Sequence, residues 1–272
     1  MRRAAPPRAA TLLRVLASSP SPLLPVERVN PGDFATWVVR QGDGWAAVRK
    51  PAGVLSQPGS EGPDLVTLGR AALGQPRLGV LHRLDRNVSG LVLVAWSPRA
   101  ADALTREVRE GRVERAYRAV CLARAAPPAD PFDIDVPLRK DPRTNEVACD
   151  PRGGPGFEAA RTRVRPRSVS RAPLGPLAEL DLELVTGRSH QLRAHLAFVG
   201  LPIVGDPKYG APANLLPGPG SPLHERAAPL RRPLLHAVAI GVRTPDQGEV
   251  RVLDEPPWSD PLVKRLARPR RT

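Results

Sequence analysis

Asp85 lies in a short polar stretch, Leu81-His82-Arg83-Leu84-Asp85-Arg86-Asn87-Val88-Ser89-Gly90, that runs into an apolar segment. Guanidiniums on both sides favour the charged form of a carboxylate, and covalent attack requires that form. The same spacing also fits an aspartate that caps a turn or pairs with arginine at the surface. A second group, Gly187-Arg188-Ser189-His190-Gln191-Leu192-Arg193-Ala194-His195, starts at a strand end and enters a predicted helix. Free N–H groups at a helix start suit a phosphate. His190 and Arg193, at i and i+3, share a helical face beside the apolar stripe; a solvated basic helix start is the plainer alternative. Zinc does not fit, because His190 and His195 are at i and i+5, where helical ligand pairs need i+3 or i+4. Tyr117, between arginines in Arg115-Ala116-Tyr117-Arg118, is one of 2 tyrosines. It is a candidate platform for stacking a base, or else an ordinary sheet-face tyrosine.

These groups must be positioned by regular elements, and the periodicities supply them. Trp37 to Arg49 reads as a β-hairpin about Gln41-Gly42-Asp43-Gly44, and Lys50-Pro51-Ala52-Gly53 leaves it as a loop. Leu91 to Trp96 has the length and apolarity of a strand. Ser97 followed by Pro98 signals a helix start and Gly111 its stop, with Ala101, Leu104 and Val108 on the buried face. Val113 to Leu122 alternates as a strand with Tyr117 on one face. Shorter strands are expected at 132–138, 144–149 and 159–165, and a loop at 166–177. Ala178 to Val185 alternates as a strand. Ser189 to Val199 is expected to be a helix ended by Gly200, with Leu192, Leu196 and Val199 as its apolar stripe. A Pro/Gly-rich insertion covers 211–232, and Leu234 to Val242 with Glu249 to Leu253 form a closing strand pair. Strands that follow one another directly indicate an α+β fold with a largely antiparallel sheet.

Composition narrows the classes. With 41 Lys and Arg against 27 Asp and Glu, the net charge is +14, which favours a polyanionic partner; a host bias toward arginine would give the same excess. The 2 cysteines, Cys121 and Cys149, form no zinc or redox motif, and a reduced cytoplasmic setting is expected. No apolar run approaches the ~20 residues of a membrane span, and the N-terminal stretch has too short an apolar segment for a secretory signal. No Walker-type phosphate loop or G-x-S-x-G elbow is present. The expected organisation is a basic N-terminal arm at 1–36, a folded domain at 37–257 and a basic tail at 258–272.

Taken together and in order, the motifs resemble the RluA family of pseudouridine synthases. They are Lys50-Pro51-Ala52-Gly53, His82-Arg83-Leu84-Asp85 with Ser89-Gly90, Tyr117, the Gly187–His195 stretch, Gly205-Asp206-Pro207-Lys208-Tyr209-Gly210 and Arg232-Pro233-Leu234-Leu235-His236-Ala237. Any one tetrapeptide is weak; the ordered set, over roughly residues 37–257, is specific. The resemblance implies the pseudouridine synthase fold: a bent, mostly antiparallel sheet with flanking helices and a central RNA-binding cleft. It implies Asp85 as nucleophile, Tyr117 stacked on the target base and assisting proton removal at C5, and Arg193 paired with Asp85. Arg83 is implied to hold the nucleotide out of its stack. Lys50, His82, Arg188, His190 and Gln191 are expected to contact substrate, and Lys208 to meet phosphate.

Such an enzyme isomerises a uridine of ribosomal or transfer RNA and needs no cofactor or metal; a monomer is expected. Two features depart from the family pattern. Val88 stands where many members have Thr, and the 36 residues ahead of the domain are too short for an S4-type RNA-binding module. A non-catalytic RNA-binding or ribosome-assembly protein on the same fold would keep the basic surface without needing Asp85. A hydrolase of the N-glycosidic bond would need a second group to activate water.

Overall fold

The computed structural model describes residues 29–30, 32–59, 62–123, 127–172, 175–209 and 232–258. The Pro/Gly-rich insertion (except Arg232), most of the N-terminal arm and all of the C-terminal tail beyond Trp258 lie outside the described residues.

The hairpin forms as its turn residues require: β1 (Val38–Gly42) pairs antiparallel with β2 (Trp45–Lys50) around Asp43 and Gly44. Gly44 has φ +79°, and a Cβ there would strike the side chain of Ser97, so only glycine turns the chain at this point. β2 then pairs with β4 (Ser89–Ala95), every residue of which is buried. An unbroken apolar run is what a strand covered on both faces needs.

The two covers differ. On one face, Trp45, Ala47, Leu91 and Leu93 pack with Ala100 and Leu104 of α3 (Pro98–Arg109). Ser97 caps that helix by accepting the Ala100 N–H, and Pro98 occupies its first turn. Burying Leu104 contributes about 1.5–3 kcal/mol, so Leu104→Ala would open a cavity in this layer. On the other face, Ala46, Val48, Val92 and Val94 pack with Phe34 and Trp37 of α1 (Asp33–Trp37) and with Leu65 and Leu68 of α2 (Leu65–Leu73). Phe34 and Trp258 are both buried, so the packed unit takes in residues that the sequence reading assigned to the arms.

The main sheet has the order β1-β2-β4-β11-β5-β10-β9-β6, with β3 (Gly79–Val80) beside β4 and β12 (Gly248–Leu253) beside β11 (Leu235–Thr244). β5 (Glu114–Leu122), β6 (Phe132–Asp135), β9 (Arg161–Ala172) and β10 (Gly175–Leu184) complete it. Among the described strands of this sheet every strand pairing is antiparallel except β11 with β4. That parallel contact is short: His236 and Ala237 face Ser89 and Gly90, after which β11 takes β12 as its neighbour. Gly90 permits the approach, because a Cβ there would lie 2.4 Å from the Ala237 backbone. β7 (Leu138–Asp141) and β8 (Glu146–Cys149) form a separate hairpin.

Two expectations are corrected. Residues 166–172 and 175–177 are strand, not loop. Pro166 is tolerated because, among the described residues, β6 pairs with β9 only as far as Val164, and because the register with β10 shifts opposite it. α4 covers Gln191–Phe198, starting two residues later than expected, and Val199 is exposed rather than part of an apolar stripe.

Candidate active site

The loop carrying Asp85 is held from behind. Ser56 Oγ donates to the Leu84 carbonyl and accepts the Leu84 N–H. Gly53 N–H donates to the Arg86 carbonyl, and Arg86 Nε donates back to Gly53. Lys50 is fully buried, and its ammonium donates to the carbonyls of Pro51, Val54 and Arg86. Burial pushes the Lys50 ammonium down to about 7, against the attraction of Asp85; three carbonyl acceptors satisfy all three of its protons, which argues for the charged form. His82 is also buried, its Nε2 accepting the Leu93 N–H. Burial, reinforced by Arg115, pushes His82 down to about 3, so the ring is neutral.

Asp85 projects from this support into an open cleft that it lines with Tyr117, His190 and Arg193. α4 brings Arg193 to it. Arg193 Nη1 donates to Asp85 Oδ2 at 2.7 Å, while Nε and Nη2 donate to the two oxygens of Asp206 at 2.7 and 2.8 Å. Burial opposes the charge on Arg193, but Asp206 and then Asp85 outweigh it and raise its pKa. For Asp206, burial favours the neutral acid, yet Arg193 and the N–H groups of Lys208 and Tyr209 hold it below the usual carboxylate range.

Tyr117 forms part of the wall from β5, with Val88, Leu184, Leu192 and Leu235 as apolar neighbours. Burial pushes its hydroxyl up to about 12, so it is a neutral phenol. A half-apolar cleft with one carboxylate and an aromatic wall can take a flat heterocycle and expose it to a nucleophile. Asp85 is the only carboxylate lining this cleft among the described residues; Asp206 is saturated and turned away from it.

The candidate residues fall into three sets. Asp85, Tyr117, Arg193, Arg83, Arg188 and His190 all line the cleft. Arg83 and Arg188 are exposed at its rim, and Arg188 is bonded to Glu158. Gln191 reaches the wall, but its amide is spent: Oε1 accepts from Thr186 Oγ1 and Arg188 N, and Nε2 donates to Arg161 O and Thr162 Oγ1. Lys50 and His82, expected to contact substrate, instead lie behind the loop and hold it. Lys208, expected at a phosphate, donates to the carbonyls of Thr144 and Asn145.

Three structural features around the cleft went unread in the sequence. Asp206 and Tyr209 stood inside a quoted motif without roles. The third is a buried chain: Ser89 Oγ lies 2.8 Å from His236 Nδ1, and His236 Nε2 lies 2.9 Å from Asp254, which Arg49 also binds. It sits where β11 changes partner from β4 to β12. Val88 and Leu235, each one residue before Ser89 and His236, are cleft walls. No short-range pattern signals a contact between residues so far apart in the chain.

The chain matches the family model for RNA pseudouridylate synthase over residues 44–198, more than half its length, and it belongs to that family. The RluA-type motif order had implied this. Among its relatives, it is 36% identical to an "Uncharacterized RNA pseudouridine synthase" of Chloroflexus aurantiacus over 209 residues, 73% of this chain and 58% of that protein. It is 33% identical to "Ribosomal large subunit pseudouridine synthase D" of Xanthomonas campestris over 227 residues, 80% of this chain and 65% of that one. The match thus spans less than two thirds of the length of either relative. The solved structure of human RNA Pseudouridylate Synthase Domain Containing 1 shares the fold, with a TM-score of 0.68 at 23% identity over 86% of this chain and 88% of that chain.

Proposed function

We propose that the protein is an RNA pseudouridine synthase that isomerises uridine in ribosomal RNA, with Asp85 as its nucleophile. The observation that carries this reading is the Arg193–Asp85 ion pair in a cleft walled by Tyr117. Similarity to the ribosomal large subunit pseudouridine synthase D of Xanthomonas campestris supports ribosomal RNA as substrate.

The target base must leave its stack to be reached, at a cost of a few kcal/mol. Arg83 and Arg188 at the rim offset this through phosphate contacts. Asp85 then forms a covalent bond to the nucleotide as the C1′–N1 bond breaks. The uracil rotates over Tyr117 and a C1′–C5 bond forms. The proton leaves C5, N1 gains one, and Asp85 is released, so no electrons or groups are exchanged with another molecule. Tyr117, neutral at pH 7, serves as a relay: its oxygen takes the C5 proton as its own proton passes to the freed carboxylate, which gives it up to water while N1 takes a proton from water, so both residues return to their starting states. Arg193 keeps Asp85 aimed while charge develops.

A hydrolase reading is disfavoured, because among the described residues no second carboxylate lines the cleft to activate water. The test is pseudouridine mapping of RNA from cells with and without the gene, with an Asp85→Asn rescue. A uridine modified only with the wild-type protein supports the proposal. If the Asp85→Asn protein restores the same site, Asp85 is not the nucleophile.

A further inference from the structure

His190 holds the backbone in the left-handed region, with φ 51°. For a residue bearing a Cβ this costs on the order of 1–2 kcal/mol, and it turns the ring toward the nucleophile. His190 Nε2 lies 3.8 Å from Asp85 Oδ2. The other ring nitrogen, Nδ1, is 2.8 Å from the hydroxyl of Tyr209. That hydroxyl also accepts the Val147 N–H at 2.7 Å, and Val147 belongs to the separate β7–β8 hairpin. The same hairpin is tied to the neighbouring residue, since its turn carbonyls accept from Lys208 Nζ. Tyr209 is thus pinned at both ends, its ring lying 5.0 Å beneath the Arg193 guanidinium.

This arrangement selects one tautomer. The Tyr209 oxygen uses one lone pair for Val147, and its single proton finds an acceptor in Nδ1. Nε2 then carries the imidazole proton and points it at a carboxylate. The opposite tautomer would set a lone pair against Asp85 and leave the phenol proton without that acceptor. Burial keeps the ring neutral: it lowers the pKa of His190, Asp85 works against it, and Arg193, Lys208 and Lys140 add to the lowering.

We infer that Tyr209 is a positioning residue for the reaction at Asp85: through the Val147–Tyr209–His190 chain it fixes His190 as an Nε2–H donor directed at the nucleophile. This rests on Asp85 being that nucleophile. At 3.8 Å the donor is too far for a hydrogen bond, so it is held in reserve. It serves the carboxylate oxygen when the bond between Asp85 and the nucleotide breaks and the electron pair returns to that oxygen; His190 itself transfers no proton.

The test is Tyr209→Phe, which keeps the ring under Arg193 and deletes the hydroxyl. It is read by kinetics on ribosomal RNA and by proton–nitrogen correlation of histidine side chains, His190 being assigned by its loss in His190→Asn. The wild-type protein is expected to show the Nε2–H tautomer and Tyr209→Phe a mixture. With it, kcat falls about 10-fold or more while KM stays within about 2-fold. A wild-type Nδ1–H tautomer, an unchanged tautomer in Tyr209→Phe or an unchanged kcat would each overturn the inference. The tautomer is measured without substrate, so it decides this chain of contacts even where failure of turnover by the wild-type protein defeats the proposed function.

Discussion

Arg193 Nη1 lies 2.7 Å from Asp85 Oδ2 although 108 residues separate them in sequence. The contact is one prong of a fork whose other two prongs are fixed on Asp206. A guanidinium is planar and rigid, so binding Asp206 on one edge determines where the third nitrogen points. Asp206, which does not line the cleft, therefore directs Arg193 onto Asp85.

Asp206→Asn keeps the shape of that anchor but removes its charge and one acceptor. We expect kcat to fall about 10–100-fold through misplacement of Arg193. Stability should drop by up to about 3–5 kcal/mol, as for other buried pairs that lose a partner. Single-turnover kinetics and denaturant unfolding check both; wild-type kcat in the variant would show that Asp206 does not aim the site.

Lys50→Met keeps the aliphatic stem and deletes the ammonium, leaving the Pro51, Val54 and Arg86 carbonyls without that donor. The expected loss is about 1–3 kcal/mol, with a lower kcat as the Asp85 loop loosens and RNA affinity within a few-fold. A large loss of RNA affinity with kcat intact would return Lys50 to the substrate-contacting role that sequence position suggested.

Those two residues show what was legible. The hairpin at 38–50 and helix α3 were readable because a Gly/Asp turn and a Ser-Pro start with a Gly stop are local signals. Asp85, Tyr117 and Arg193 were readable only as an ordered set of motifs. Asp206 was not, because its partner lies on another element. Lys50 and His82 were misplaced because a polar residue beside a motif looks the same whether it faces the cleft or the back of the loop. Helix α2 went unread although Asp64 caps it and Gly74 ends it. Its interior Gly69 weakens the pattern, yet is required because a Cβ there would lie 2.8 Å from the Phe34 ring. Pro166 misled in the opposite sense, since it falls beyond the described β6 pairing and at a register shift, where a strand tolerates it.

His82 predicts a pH dependence of stability. Its folded value of about 3 lies below the ordinary 6.5 of a histidine, so the unfolded chain binds a proton that the folded one refuses between those limits. Stability is fully present above about pH 6.5 and falls as the pH drops toward 3, by about 1.4 kcal/mol per unit for this group. His195 and His236, also lowered mainly by burial, add to the same slope. His82→Gln, which can still accept from the Leu93 N–H, should flatten it; an unchanged slope in urea titrations would place the acid sensitivity elsewhere.

Tyr117→Phe keeps the stacking face and removes the relay. A positioned acid or base contributes about 10²–10⁴-fold, so kcat should fall at least about 100-fold with RNA affinity preserved. An unchanged rate would confine Tyr117 to stacking.

The most direct test of the account is release of tritium from C5-tritiated uridine in unmodified ribosomal RNA by the purified protein and its Asp85→Asn variant. We expect the wild type to release label with one pseudouridine formed per tritium lost. The variant should bind the RNA within a few-fold and release none. Label release at near wild-type rate by Asp85→Asn would contradict the assignment of Asp85 as the nucleophile.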